Sequence, residues 1–379
     1  MIEVRVGGPE ECRGGVLLPA DGLYKKNNAA LAEELAGVCC GPALAGRKLR
    51  LMEVCGTHTM SVYRHGLKKL LPANMELISG PGCPVCVTPS TLLAQALAIA
   101  RQPGVIMTSF GDILRVPVAG DSLLKAREEG NDVLLVTSPL EALELAERWP
   151  EKQVVFFAVG FETTAPLSAA TVLQAAKGGI TNFSLFSAHR LMPPALRQLL
   201  SANPRIDGLL LPGHVATVSG AAYFAFVPEE LGLPAVVAGF EPTDIMAALL
   251  ALARQAAVGE CRLENAYPRA VRPEPNHTAW TLMEQVFIPV DACWRGLGEI
   301  EASGLALSPA YTSYDAISRF GIAATDVAEN QACRCGEVLR GELKPFECPL
   351  FASTCHPQNP QGACMVSSEG ACAAEYKYI

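Results

Sequence analysis

From residue 105 onward, short runs of apolar and β-branched residues begin roughly every 25 positions, about the length of one strand plus one helix. They are VIMTSF (105–110), DVLLVT (132–137), VVFFAVG (154–160), NFSLFS (182–187), DGLLL (207–211) and AVVAGF (235–240), preceded by LRLMEV (49–54). The runs are continuous rather than alternating, so both faces of each strand should be buried, as in parallel sheets covered by helices. The segments between them carry helix starts. Ser138-Pro139-Leu140-Glu141 combines a capping serine, a proline at the first helical position and a capping-box glutamate. Thr243-Asp244 is expected to cap IMAALLALARQAA, and Thr88 or Ser90 to cap LLAQALAIAR.

A chain of 379 residues exceeds one ordinary domain. The expected architecture is two Rossmann-like parallel-sheet α/β domains and a cysteine-rich C-terminal domain. Residues 1–130 with 231–266 would form the first, 131–230 the second and 267–379 the third, the proline-rich YPRAVRPEPNH (267–277) serving as linker. AVGFETTAP (158–166) resembles VAGFEPTDI (237–245), each a strand ending in Gly-Phe-Glu before a helix start, as two similar halves would produce.

In a parallel α/β sheet, ligands bind beyond the carboxyl ends of the strands. The polar residues there are Cys55-Gly56-Thr57-His58, Gly111-Asp112, Thr137-Ser138, Glu162-Thr163-Thr164, Ala188-His189 and Gly213-His214. CGTH sets a thiol and an imidazole three residues apart, a pair suited to iron or zinc and open to further ligands. In GPGCPVC (80–86) glycines allow a tight turn beside two thiols and a helix follows; redox dithiol, half of a zinc site and a pair of inert buried cysteines all remain open.

Six of the fourteen cysteines fall between Cys333 and Cys372: Cys333, Cys335, Cys348, Cys355, Cys364 and Cys372. In a cytoplasmic chain, the location expected from an opening without a signal pattern and the lack of long apolar runs, such density points to metal or redox work. Six thiols exceed what one tetrahedral zinc or one four-iron cluster takes, and paired zinc-knuckle spacing is absent. A net charge of −8 argues against nucleic acid, and no apolar run is long enough for a membrane. No GxxxxGK[ST], GxGxxG or GxSxG signature occurs, which removes support from nucleotide and serine-hydrolase chemistry.

CGTHT (55–59), GPGCPVCVTP (80–89), GFETTAP (160–166), PGHV (212–215) and the tail CPLF…C…P…P…GACMVSSEGACAAEYKY together resemble the HypD family of [NiFe]-hydrogenase maturation factors, in matching order over about residues 49 to 379. The resemblance implies an assembly scaffold with redox activity rather than a conventional turnover enzyme. On it the Fe(CN)₂CO group is built with a HypC-type small chaperone and a HypE-type cyanide donor, for the hydrogenase large subunit. Carried over, Cys55 would bind the iron with His58 beside it. Cys83 and Cys86 would be a redox pair, and Glu162, Thr163 and His214 would line the same cleft. His189 joins them by its position after a strand. The tail would hold a [4Fe–4S] cluster on Cys333, Cys348, Cys355 and Cys372, with Cys335 and Cys364 as an accessory dithiol, and electrons would pass from the cluster through dithiols to the cleft. Two other readings compete: a disulfide reductase resembling ferredoxin:thioredoxin reductase, which leaves CGTH without a task, and a zinc-stabilised binding module.

Overall fold

A computed structural model describes residues 18–19, 28–202, 205–323, 327 and 329–378. All seven expected strands form, as β2 (Leu49–Glu53), β4 (Val105–Ser109), β5 (Asp132–Leu135), β6 (Gln153–Gly160), β7 (Phe183–His189), β8 (Gly208–Pro212) and β9 (Ala235–Ala238). To these are added β1 (Leu18–Pro19), β3 (Met75–Ser79), β10 (Leu263–Asn265) and an antiparallel hairpin of β11 (Phe287–Trp294) and β12 (Gly298–Leu307). The strands assemble into two wholly parallel sheets, ordered β1-β10-β9-β8-β2-β3 and β5-β4-β6-β7. Continuous apolar runs become inner strands: every residue of β4 and β8 is buried.

The sheets exchange the chain earlier than the expected boundaries at 130 and 230. β4 sits between β5 and β6, in the second sheet, and β8 returns to lie between β2 and β9 in the first. Strand spacing marks where βα units begin, and only side-chain packing decides which sheet each unit joins. The C-terminal region is likewise not a separate body. Phe287, Leu305 and Leu307 of the hairpin pack with Phe183 and Leu185 of the second sheet. The cysteine-rich segment contributes Cys335, Cys364 and Met365 to a core shared with Met52, Leu209 and Leu211 of the first sheet, while Ala363 and Val366 pack with Met107 and Val155 of the second. The tail therefore ties the two sheets together.

Helix caps follow the sequence with small shifts. The Ser138 hydroxyl accepts from the Leu140 N–H as expected. At Pro242–Val258 the cap is Glu241, whose N–H is taken by Asp244 at 3.4 Å, rather than Thr243. The helix Ser90–Ala100 has Pro89 at its cap position, and the Ser90 hydroxyl instead lies 3.2 Å from both Arg295 Nη2 and Glu329 Oε1. Among the described residues no helix is long and apolar enough to cross a membrane.

Candidate metal and redox centre

β2 ends at Glu53, and the chain turns through Cys55, extended at the N-cap, into the helix Gly56–Arg64. The GPGC loop after β3 lies directly on this turn. The Gly56 N–H donates to the Gly82 carbonyl at 3.0 Å, and a Cβ on Gly82 would stand 2.1 Å from the Cys55 nitrogen, so a side chain there would drive the loops apart. Glu53 is buried beneath them. Its carboxyl accepts from the Cys55 N–H at 3.2 Å and from the Thr59 hydroxyl, and burial pushes it up to about 8.

His58 is fully buried one turn along the helix, with Nε2 2.9 Å from the Gly239 carbonyl. A carbonyl only accepts, so this contact assigns the proton to Nε2 and leaves Nδ1 as the basic nitrogen, buried without a hydrogen-bond partner among the described residues. Burial pushes His58 down to about 4, which keeps the ring neutral near pH 7, the form that ligates metals. Its ring lies 4.8 Å from that of Phe240, and His214 stacks on the other side of Phe240 at 3.8 Å. CGTH, PGHV and the second Gly-Phe-Glu motif thus meet at the carboxyl edge of the first sheet.

Cys83 and Cys86 are both buried, with their sulfurs 2.7 Å apart. Other thiols are electrostatic neighbours: Cys364 acts on Cys86, Cys335 and Cys372 on Cys364, and Cys333 on Cys335. Burial, then the Cys364 thiol, holds Cys86 well above the ordinary thiol range. All six tail cysteines, with Phe351, Gly362 and Met365, line a small cavity of about 10 Å³. Gly362 forms a close wall; a Cβ there would be 2.6 Å from the Cys333 sulfur. Among the described residues no three His, Cys, Asp or Glu side chains converge as a single ion requires, so the thiols ring a volume rather than a point. An all-thiol ring around a small cavity suits a cluster, which spreads one thiolate to each iron.

The loop before the last helix closes the arrangement. The Cys83 thiol donates to the Ser367 hydroxyl at 3.3 Å, and the Thr57 hydroxyl donates to Glu369 Oε1 at 2.6 Å. Burial, then the Glu369 charge, pushes the Cys55 thiol up to about 12, so without a cation beside it Cys55 holds its proton. Glu53, Phe240 and Glu369 were not singled out by sequence. The signals available were a glutamate ending an apolar run, the repeated Gly-Phe-Glu, and the SSEG stretch between two tail cysteines.

Three further expected site residues follow β6 or end β7. Glu162 is fully buried after β6, accepting through Oε1 from the Met192 N–H and the Tyr223 hydroxyl, each at 2.8 Å; Oε2 has no hydrogen-bond partner among the described residues, and burial pushes the carboxyl up to about 7. Thr163 beside it is exposed. β7 runs on through His189, which is a buried strand residue rather than part of a loop. Its nitrogens lie 3.4 Å from the Ser168 hydroxyl and 3.2 Å from that of Ser187, its ring meets Phe287 edge-on, and burial pushes it down to about 3. These contacts are those of a core histidine.

The family described as HypD, Hydrogenase formation hypA family, matches residues 30–379. A protein named hydrogenase maturation factor HypD from Azotobacter vinelandii is 46% identical over 359 residues, 93% of this chain and 95% of that protein. Its namesake from Escherichia coli (strain K12) is 46% identical over 336 residues, 88% and 90% of the two chains, and that of Cupriavidus necator 42% over 357, 92% and 94%. The chain belongs to the HypD family. Membership covers both sheets and the tail.

Proposed function

We propose that the chain is a hydrogenase maturation factor, a cytoplasmic scaffold that holds the iron of the Fe(CN)₂CO group as cargo while its ligands are attached. Its partners are a HypC-type chaperone sharing the iron, a HypE-type cyanide donor and, at delivery, the [NiFe]-hydrogenase large subunit. Cys55 is the protein's thiolate for the iron, and the unpartnered Nδ1 of His58, carried on the same helical turn, is a second ligand or an orienting group. A buried thiol flanked by Glu53 and Glu369 gives up its proton only to a cation, which favours metal over free thiolate at this position.

The observation that supports the redox half of the reading is that Cys83 and Cys86, their sulfurs 2.7 Å apart, share a buried cluster with Cys335, Cys355, Cys364 and Cys372, which line the tail cavity. Cys333, Cys348, Cys355 and Cys372 would hold a [4Fe–4S] cluster, whose chemistry is one-electron transfer. Cys335 and Cys364 then form a dithiol between that site and Cys83–Cys86. When Cys83 and Cys86 are joined, the Cys364 thiolate attacks the Cys86 sulfur and Cys83 leaves as thiolate and takes up a proton. Cys335, giving up its proton, next attacks Cys364 and releases Cys86. Two electrons and two protons have then passed from the Cys335/Cys364 pair to the Cys83/Cys86 pair, beside Cys55.

Anaerobic co-purification with the small chaperone, followed by infrared spectroscopy, tests the assignment. Cyanide and carbonyl stretches are expected in the wild-type complex and absent from Cys55→Ala. Bands that persist in the variant would remove Cys55 from the iron.

A further inference from the structure

β3 is the outer strand of the first sheet, hydrogen-bonded to β2 alone in unbroken register from Leu49↔Met75 to Glu53↔Ser79. The Leu49 N–H donates to the Asn74 carbonyl and the Gly80 N–H to the Glu53 carbonyl, both at 2.8 Å. Backbone groups of a parallel strand face the same neighbour at every second residue, so Glu76 and Ile78 serve β2, while Leu77 and Ser79 direct their N–H and C=O groups away from it. Among the described residues neither of those N–H groups has a backbone acceptor. Exposed strand edges are ordinarily blunted by proline, lysine, a bulge or a covering segment. β3 (MELIS) carries no proline or lysine, and its register shows no bulge.

Beyond this edge lies a groove of about 860 Å³, away from the thiols, with the stretch 341–347 as its far wall and 66–71 at its side. Leu71 and Leu77 line it, and Phe346, 57% exposed, stands at its rim. Its charge is unlike that of the chain, which is −8 overall. Lys48, Arg50 and Lys344 all converge on one carboxylate, Glu76, at 2.8, 3.3 and 2.8 Å. With Lys68, Lys69 and Arg205 the lining holds six cationic side chains against four carboxyl groups, Glu76, Glu342, Glu347 and Glu375, a modest positive excess.

We propose that this groove docks an extended acidic segment of a partner protein, which adds a strand to β3. The edge supplies main-chain hydrogen bonds along about 16 Å, Phe346 and Leu71 take apolar side chains of the segment, and the lysines take its carboxylates.

The probe is a fluorescein-labelled peptide of about ten residues alternating glutamate and valine, titrated against the full chain by anisotropy. Saturable binding is expected, about tenfold weaker at ~300 mM than at ~50 mM salt, and about tenfold weaker with the Lys69→Glu/Lys344→Gln double variant, whose thermal transition reports that it is folded. Two isomers of the peptide, N-methylated at odd or at even positions, keep its charge while each removes the N–H groups of one strand edge. One isomer is expected to bind like the parent and the other to lose binding. Equal binding by both isomers, equal binding by a lysine-for-glutamate peptide, or no binding of the acidic peptide would each overturn the proposal. So would self-association of the chain, seen by sedimentation and abolished in the double variant, because the occupant would then be a second copy.

Discussion

Cys55 and Cys86 lie on neighbouring turns of the same sheet edge, yet their surroundings are opposite in kind. Cys55 has two carboxyl groups near it, Glu53 and Glu369, and precedes the neutral imidazole of His58 by three residues. Cys86 has Cys83 on one side and Cys364 on the other. Both are buried and both are held as thiols, but the remedy differs. A sulfur among carboxylates becomes an anion when a cation arrives, whereas a sulfur among sulfurs reacts by exchange. Under the proposed function the same element would serve coordination at one position and electron movement some thirty residues later.

Cutting the sulfur chain should separate the two roles most sharply. Cys364→Ala removes a thiol that neighbours both Cys86 and the inner tail cysteines Cys335 and Cys372. Reduction of a Cys83–Cys86 disulfide from the tail side should slow by at least about a thousandfold, because exchange needs a sulfur within bonding reach. Iron retained through Cys55 should be unchanged. Thiol trapping with mass spectrometry, beside iron analysis of the same anaerobic samples, reads both quantities. An unaltered exchange rate would mean that the path does not run through Cys364.

A second contrast concerns what each environment tolerates in its backbone. In Gly82→Ala the new methyl meets main-chain atoms of Val54 and Cys55, which cannot rotate away, and a cost of about 3 kcal/mol with loss of iron is expected. In Gly362→Ala it meets first the Cys333 sulfur, the end of a side chain, and the cost should be nearer 1 kcal/mol and fall on the thiol cavity rather than on Cys55. Urea unfolding of the two variants measures the difference; equal losses would show that the GPGC turn can shift as easily as a thiol.

The strands of the two sheets were legible because a strand buried on both faces is written as one apolar run. β3 escaped because its five residues include Glu76, turned toward the edge groove. The hairpin escaped because β11 exposes half of its residues and contains Pro289 and Asp291. Sheet membership was not legible at all, being settled by packing between distant segments. In the candidate site the thiols and histidines stood out by rarity and spacing. Glu369 did not, since only the fold brings it to Thr57, 312 positions away. His189 was read as a loop residue because its strand was ended two residues early, and a strand residue of β7 turns into the core.

Glu162 offers a further test, one of burial, since its carboxyl accepts from a tyrosine hydroxyl and a backbone N–H. Its value in the folded protein, about 7, lies above the ordinary 4.5. The folded state therefore holds a proton that the unfolded chain has released. That contribution is fully present below about pH 4.5 and is lost as the pH rises through about 7. Over this window the wild type should lose on the order of 3 kcal/mol through this group, and Glu162→Gln, which keeps a neutral side chain of the same shape, should flatten that part of the profile. Both proteins are to be unfolded in urea at a series of pH values. Parallel profiles for the two would mean that Glu162 is already ionised in the folded state, and that the polar contacts from Met192 and Tyr223 outweigh its burial.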